Sequence, residues 1–254
     1  MQITVEIGWK VWYNKMVIEA NGLHFSALNE KIRQAGGKCR VTGCLGQRFI
    51  AAGMQGKDIT IEGIPGNALG AYFGGGRIDV IGNAQDAVGD TMNDGEIIVR
   101  GSIGDAAGYA MRGGTIYIRG DAGYRAGIHM KEYREKKPAI VIGGCAGSFL
   151  GEYQAGGMII VLGLNAANRP IVGNFPCTGM HGGKMVLRGE AAEIDLPPQV
   201  TKRAATNEDL AQILPYLMRF CTEFSYNPEA LAKQRYTVIV PNSKNPYKQM
   251  YVAN

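Results

Sequence analysis

Glycine recurs in this chain on a ruler of 7, 6 and 6 residues. Gly63, Gly70, Gly76 and Gly82 mark one period of 19; Gly82, Gly89, Gly95 and Gly101 mark the next. Gly101, Gly108, Gly114 and Gly120 repeat it, as do Gly144, Gly151, Gly157 and Gly163. Of the 37 glycines, all except Gly8, Gly22, Gly36 and Gly37 lie between Gly43 and Gly189. A fixed period of this length is one supersecondary unit repeated and stacked, so it takes precedence over any local motif.

The remaining intervals are variants of the same unit. From Gly43 to Gly63 the step is 20, with Ile50 where a glycine would stand. From Gly120 to Gly144 it is 24, and the five extra residues fall after Gly127, around Lys131 to Pro138. From Gly163 through Gly173 and Gly183 to Gly189 the steps are 10, 10 and 6, which reads as a lengthened segment at Asn174 to Gly182. Seven coils result.

The residues before each period glycine identify the unit: DITIEG, RIDVIG, EIIVRG, TIYIRG, AIVIGG, MIIVLG and KMVLRG. Ile59, Ile78, Ile97, Ile116, Ile140, Ile159 and Met185 share one phase, and Ile61, Val80, Val99, Ile118, Ile142, Val161 and Leu187 the phase two residues on. Between them Thr60, Asp79, Ile98, Tyr117, Val141, Ile160 and Val186 form a mixed column, read as outward-facing. Alternation at period 2 with β-branched residues predicts strands with one buried face. Repetition every 19 residues stacks those strands in parallel, with the period glycines at corners where a positive φ or a close backbone approach excludes a Cβ. The predicted fold is all-β, a parallel right-handed β-helix or β-solenoid. Pro65, Ala84, Ile103, Ala122 and Ala146 form a further column, as do Leu69, Val88, Ala107, Ala126 and Leu150. Phe73, Met92, Met111 and Met130 form another, read as a ladder of pliable core side chains rather than a soft-metal site.

The flanks lack the ruler and read as caps, giving a division into 1–42, 43–190 and 191–254. The first is a small α/β cap. Residues 2–6 and 16–20 have strand patterns, and SALNEKIRQAGG reads as a helix N-capped by Ser26 and stopped at Gly36-Gly37. In the last, TNEDLAQILPYLMRFCTEF is helical in spacing, with Pro215 a kink or break, and RYTVIVPNSKNPYKQMYVAN reads as a strand and an extended tail. End caps are expected, because an open solenoid end exposes strand edges and core.

Composition narrows the class of function. The chain has 254 residues, 46% hydrophobic and 19% charged, as expected of a globular protein. Mean hydropathy is −0.08, no apolar run is long enough to span a bilayer, and MQITVEIGWK lacks a signal-peptide layout, so a cytoplasmic protein is expected. Cys39, Cys44, Cys145, Cys177 and Cys221 are dispersed with no CxxC, which signals neither disulfides nor a zinc or iron–sulfur site. A net charge of +5 is spread along the chain without a basic stripe, so nucleic-acid binding is not expected.

Chemistry-bearing motifs are scarce. GNALGAYFGGG superficially matches a dinucleotide fingerprint, but its glycines belong to the ruler and a strand follows. His24, His129 and His181 lack metal-ligand spacing, and no serine stands in a G-x-S-x-G elbow. The pairs Asp90/Asp94 and Glu132/Glu135 fall in turns and in the insertion. No catalytic, metal or cofactor residue is assigned.

The coils, above all GNAQDAVGDTMNDGEIIVRGSIGDAAGYAMRGGTIYIRGDAGYRAGIHMKEY, resemble the GXGXG β-helix that closes the glutamate synthase large subunit. More closely, the chain resembles the stand-alone version in which that subunit is split into three polypeptides. The resemblance covers Gly43 to Gly189 and extends to NEKIRQ, VGNFPCTGMHGGKMVLRGE and NPYKQMY. It implies a scaffold in a complex that makes glutamate from glutamine and 2-oxoglutarate. A cysteine amidotransferase subunit and an FMN-binding synthase subunit with an iron–sulfur cluster would be the partners and would hold the cofactors. Nothing catalytic carries over to this chain, which reads Met1-Gln2 where the amidotransferase has its cysteine. N-methylglutamate synthase and formylmethanofuran dehydrogenase carry the same coils and remain alternatives, as does a self-standing solenoid enzyme. Self-association stays open.

Insertions in a repeat array often mark its binding face. Lys131, Glu132, Tyr133 and Arg134 in one lengthened segment, with Asn174, Phe175 and His181 in the other, are therefore expected to form one docking patch.

Overall fold

The computed structural model describes residues 16–190 and 194–242, so the strand read at 2–6 and the NPYKQMY tail lie outside the described residues. Its spine is an 11-stranded sheet in the order β1-β2-β3-β4-β5-β6-β7-β8-β9-β11-β10. The strands are β1 (Met16–Glu19), β2 (Lys38–Leu45), β3 (Lys57–Ile64), β4 (Gly74–Ile81), β5 (Asp94–Val99), β6 (Thr115–Ile118), β7 (Ala139–Ile142), β8 (Ala155–Val161), β9 (Gly182–Arg188), β10 (Val200–Ala204) and β11 (Tyr236–Pro241). Each strand from β1 to β9 pairs in parallel with the next, the arrangement of a β-solenoid. Register follows the period: Ile59 sits opposite Ile78, Ile78 opposite Ile97, Ile97 opposite Ile116 and Ile116 opposite Ile140. The sheet begins before Gly43, because β1 and β2 already belong to it.

A second face carries the Ala84, Ile103, Ala122 and Ala146 column as single parallel bridges, continued by Val172. Inside, Phe73, Met92, Met111 and Met130 are fully buried, and Leu69, Val88, Ala107, Ala126 and Leu150 line the core beside them. The methionine column is thus packing, where flexible thioethers fill the interior.

The Thr60-to-Val186 column differs from its reading as outward. Ile98, Tyr117, Val141, Ile160 and Val186 are buried against Ile213, Leu217, Phe220, Cys221 and Phe224 of helix α2 (Asn207–Phe224). Only its first members, Thr60 and Asp79, lie outside that apolar layer. From β5 onward the strands therefore bury both faces, which turns alternation into continuous apolar runs.

The helices also depart from expectation in detail. Helix α1 (Phe25–Gln34) is preceded by His24 at the N-cap; Ser26 lies inside it, its Oγ 2.7 Å from His24 Nδ1. Lys57 closes the other end, its Nζ donating to the carbonyls of Ile32, Arg33 and Gly36. Helix α2 does not break at Pro215, which stands exposed inside an unbroken helix. A capping box starts it: Thr206 Oγ1 accepts from Asp209 N and the Asp209 carboxylate from Thr206 N. A short helix, α3 (Pro228–Ala232), leads into β11, which runs antiparallel to β9 and ends the parallel stack. No helix of the described residues is long and apolar enough to cross a membrane.

Candidate partner-docking interface

Every coil turns through alternating left-handed residues. Ala87, Gly89 and Thr91 have φ of 56°, 69° and 51°; Ala106, Gly108 and Ala110 have 56°, 66° and 48°. Arg125, Gly127 and His129 follow at 59°, 71° and 55°, and Phe149, Gly151 and Tyr153 at 59°, 65° and 53°. The middle residue faces the core, where a Cβ at Gly108 would lie 2.5 Å from Ile140 Cδ1. The outer two are half-buried or exposed, except Thr91, which is buried. Each coil's polar backbone is met by its neighbours, as in Gly108 N to Val88 O at 2.8 Å.

Stacking these turns builds two ladders of surface side chains. In one, His129 lies parallel to Tyr153 at 5.1 Å and edge-on to Tyr109 at 5.9 Å. In the other, Tyr124, Phe149 and Phe175 step along the axis at 5.3 and 5.2 Å. The Arg125 guanidinium covers the Tyr124 and Phe149 rings at 4.7 and 5.4 Å while its Nε donates to Glu152 at 2.6 Å.

The insertion after Gly127 is a compact exposed loop. Tyr133 and Lys136 exchange both backbone hydrogen bonds at 3.1 Å. Glu132 Oε1 accepts from Gly157 N at 3.2 Å, and Lys136 Nζ donates to Asp94 Oδ2 at 2.8 Å. Tyr133 is 48% exposed, and the Arg134 guanidinium sits 5.2 Å over its ring.

The structure places the seven proposed patch residues in two groups. Lys131, Glu132, Tyr133 and Arg134 are together on this loop. His181 is in register with Lys131, two coils along, with Ala155 between them. Asn174 and Phe175 stand across the left-handed turn, in register with Ser148 and Phe149. Among the described residues no hydrogen bond, ion pair or ring contact joins Asn174 or Phe175 to residues 131–134. The reason is register. Ala146 pairs with Val172, so the second insertion lies at Leu164 to Ile171, before Gly173, and Asn174 to Gly182 has the ordinary length. Glycine spacing misplaced it because Gly173 answers to Gly147, a glycine outside the ruler.

Sequence reasoning also missed an ion-pair cluster that locks α2 to the solenoid. Arg77 is bidentate to Glu223 at 2.8 and 2.7 Å, Arg100 is bidentate to Asp79 at 2.8 and 2.7 Å, and Arg219 reaches Glu96 at 2.6 Å. Arg77 holds the Glu223 carboxyl below the usual glutamate range. Arg203, with Lys184 and Thr206, does the same for Asp209. Their spacing in the chain offered no motif.

All five cysteines are buried. Burial pushes the Cys44 thiol up to about 11 and Cys177 to about 12, which keeps both protonated and unreactive near neutrality. Among the described residues no three His, Cys, Asp or Glu side chains are grouped to hold a metal ion. What the arrangement offers is recognition chemistry: aromatic rings, guanidinium groups and a fixed loop on a rigid stack.

The fold and its turns define a parallel β-solenoid coiled through alternate left-handed residues. A model of the GXGXG motif family matches residues 26–242, and the chain belongs to that family. It is 46% identical over 251 residues to the uncharacterized protein MJ1350 of Methanocaldococcus jannaschii, a match covering 93% of this chain and 96% of that one. The fold is also that of a chain in the crystal structure of the formyltransferase/hydrolase complex (FhcABCD) of Methylorubrum extorquens in complex with methylofuran. That likeness has a TM-score of 0.59 at 19% identity, over 87% of this chain and 90% of that chain.

Proposed function

We propose that this chain is a non-catalytic β-helix subunit of a split glutamate synthase, docking an amidotransferase subunit and an FMN and iron–sulfur synthase subunit. The observation that carries the reading is the family match across residues 26–242, joined to the close resemblance of the coils to the glutamate synthase GXGXG domain. The coarser part of the proposal, a solenoid subunit within a multi-subunit complex, draws also on the FhcABCD chain. In this reading the solenoid supplies surface and rigidity, while ammonia release, electron transfer and cofactors belong to the partners.

A second reading, a subunit of a formyl-transferring complex, is favoured by the shared fold with FhcABCD. Affinity isolation of the tagged full-length chain from its source cells, with mass spectrometry of what accompanies it, separates the two. Amidotransferase and FMN-barrel polypeptides are expected. Formyltransferase, hydrolase or molybdopterin-enzyme polypeptides would replace the first reading by the second. The purified chain alone is expected to show no flavin or iron–sulfur absorbance and no glutaminase activity; stoichiometric FMN bound to it would overturn the non-catalytic assignment.

A further inference from the structure

We propose that the loop Lys131 to Lys137, with Arg112 beside its base, is the docking surface for an acidic face of a partner protein subunit. The proposal rests on the subunit reading above and names where that subunit binds. All seven loop residues are exposed. Lys131 follows Arg112 in register, its backbone N–H donating to Met111 O at 3.0 Å, and the loop folds back so that a Cβ at Gly113 would stand 3.1 Å from Lys136 Cβ. Arg112 Nε is enclosed there without a hydrogen-bond partner.

Charge identifies the occupant. Among the described residues Arg112, Lys131, Arg134 and Lys137 have no carboxylate partner, whereas Lys136 is matched by Asp94 and the arginines beneath α2 are matched by Asp79, Glu96 and Glu223. Four cations left unmatched within one loop and its base complement carboxylates supplied from outside. Tyr133 and Arg134 add the residue types that dominate interface energetics. The loop is already ordered by its paired backbone and by Glu132 on Gly157, so docking spends little on fixing it. A second copy of the same loop would set cation against cation. Glu132 and Glu135, interleaved with the basic residues, break the continuous positive track that a phosphate backbone follows, whereas separate carboxylates of a protein face can meet the cations singly.

The test uses the full-length chain isolated with its partner subunits at low salt. Carbodiimide treatment condenses an ammonium and a carboxylate in contact into an amide, with the carbodiimide leaving as its urea. Amide cross-links from Lys131 or Lys137 to partner Asp or Glu residues are expected. Lys131→Glu with Arg134→Glu is expected to weaken binding of the separated, re-added partner subunits about tenfold or more and to flatten its salt dependence. The melting temperature should stay unchanged, since neither side chain is in the core. Lys131→Gln with Arg134→Gln should weaken binding by a smaller factor, and Lys31→Glu with Arg48→Glu, the same charge change elsewhere, should leave it intact. Cross-links confined to other lysines, or wild-type affinity in the charge-reversed protein, would overturn the surface. So would reversal that abolishes only nucleic-acid retention or only self-association. If the accompanying subunits are neither an amidotransferase nor a flavin enzyme, yet cross-link to this loop, the surface stands and the glutamate synthase reading falls. A chain that brings down no subunit overturns both.

Discussion

Left-handed backbone ordinarily belongs to glycine, because a Cβ there crowds the following carbonyl at a cost of about 1–2 kcal/mol. This chain nevertheless places Ala87, Thr91, Ala106, Ala110, Arg125 and His129 in it, coil after coil. The stack over-determines those positions through inter-coil hydrogen bonds such as Ala106 N to Tyr124 O at 2.7 Å and Ala110 N to Ile128 O at 2.8 Å. At the middle position of these turns a Cβ meets the core, as at Gly108 beneath Ile140. Ala51 and Cys177 nevertheless occupy the same left-handed position in the first and last coils. Gly108→Val should combine strain with overpacking and cost at least about 2 kcal/mol, read as a lower urea midpoint. Ala106→Gly keeps the left-handed turn without a Cβ and should stay within about 1 kcal/mol of wild type. A Gly108→Val protein melting with the parent would mean that the Ile140 contact yields freely.

Helix α2 is the element that completes the solenoid. Its buried stripe, Ile213, Leu217, Phe220 and Phe224, covers the apolar column from Ile98 to Val186. Phe220 is fully buried and lies against Phe224 at 4.8 Å, so Phe220→Ala should cost about 3–5 kcal/mol, measured by denaturant titration. The polar rim makes this docking sensitive to acid. Glu223 and Asp209 both have depressed carboxyl pKa values. Such groups contribute stability that is fully present above their unfolded values, near pH 4–4.5, and is lost as pH falls through the folded values. Acidification below about pH 4.5 should therefore loosen α2 progressively. Hydrogen exchange along 207–224 is the measurement. Glu223→Gln with Asp209→Asn should be less stable at neutral pH and show a flatter pH profile below 5; a profile parallel to wild type would remove these carboxylates from the explanation.

At the scale of the whole molecule, nine parallel strands from β1 to β9 make a rod of about 38 Å along the stacking direction. Such a rod presents a strand edge at each end. At the C-terminal end β11 pairs antiparallel with β9, and β10, pairing with β11, leaves Thr201, Lys202, Arg203 and Ala204 exposed at the last edge. Charged, short edge strands discourage further pairing. Truncation after Glu190 would remove β11 and α2 together, exposing the β9 edge and the Ile98, Tyr117, Val141, Ile160 and Val186 column. That shortened protein should aggregate or bind a hydrophobic dye, seen by light scattering and fluorescence. A monodisperse, cooperatively melting fragment would show that the coils suffice without their cover.

The solenoid was legible in residue order because its cause is local and periodic. A Cβ that cannot fit recurs every 19 residues, and that interval sets parallel register, the core columns and the loop after Gly127. What the tertiary structure decided depends on contacts with no period. Arg77 meets Glu223 across 146 positions of sequence, and nothing in a strand reading DVI or IIV says whether its second face meets water or a distant helix. Apolar residues alternate or run together according to that cover, so the column taken as outward became an inner layer. The second insertion shifted from Asn174–Gly182 to Leu164–Ile171 for a related reason: hydrogen-bonded register, rather than glycine spacing, fixes which residues are equivalent once a coil departs from its standard length. The unmatched cations of the 131–137 loop likewise emerged only when folding showed which carboxylates were already taken.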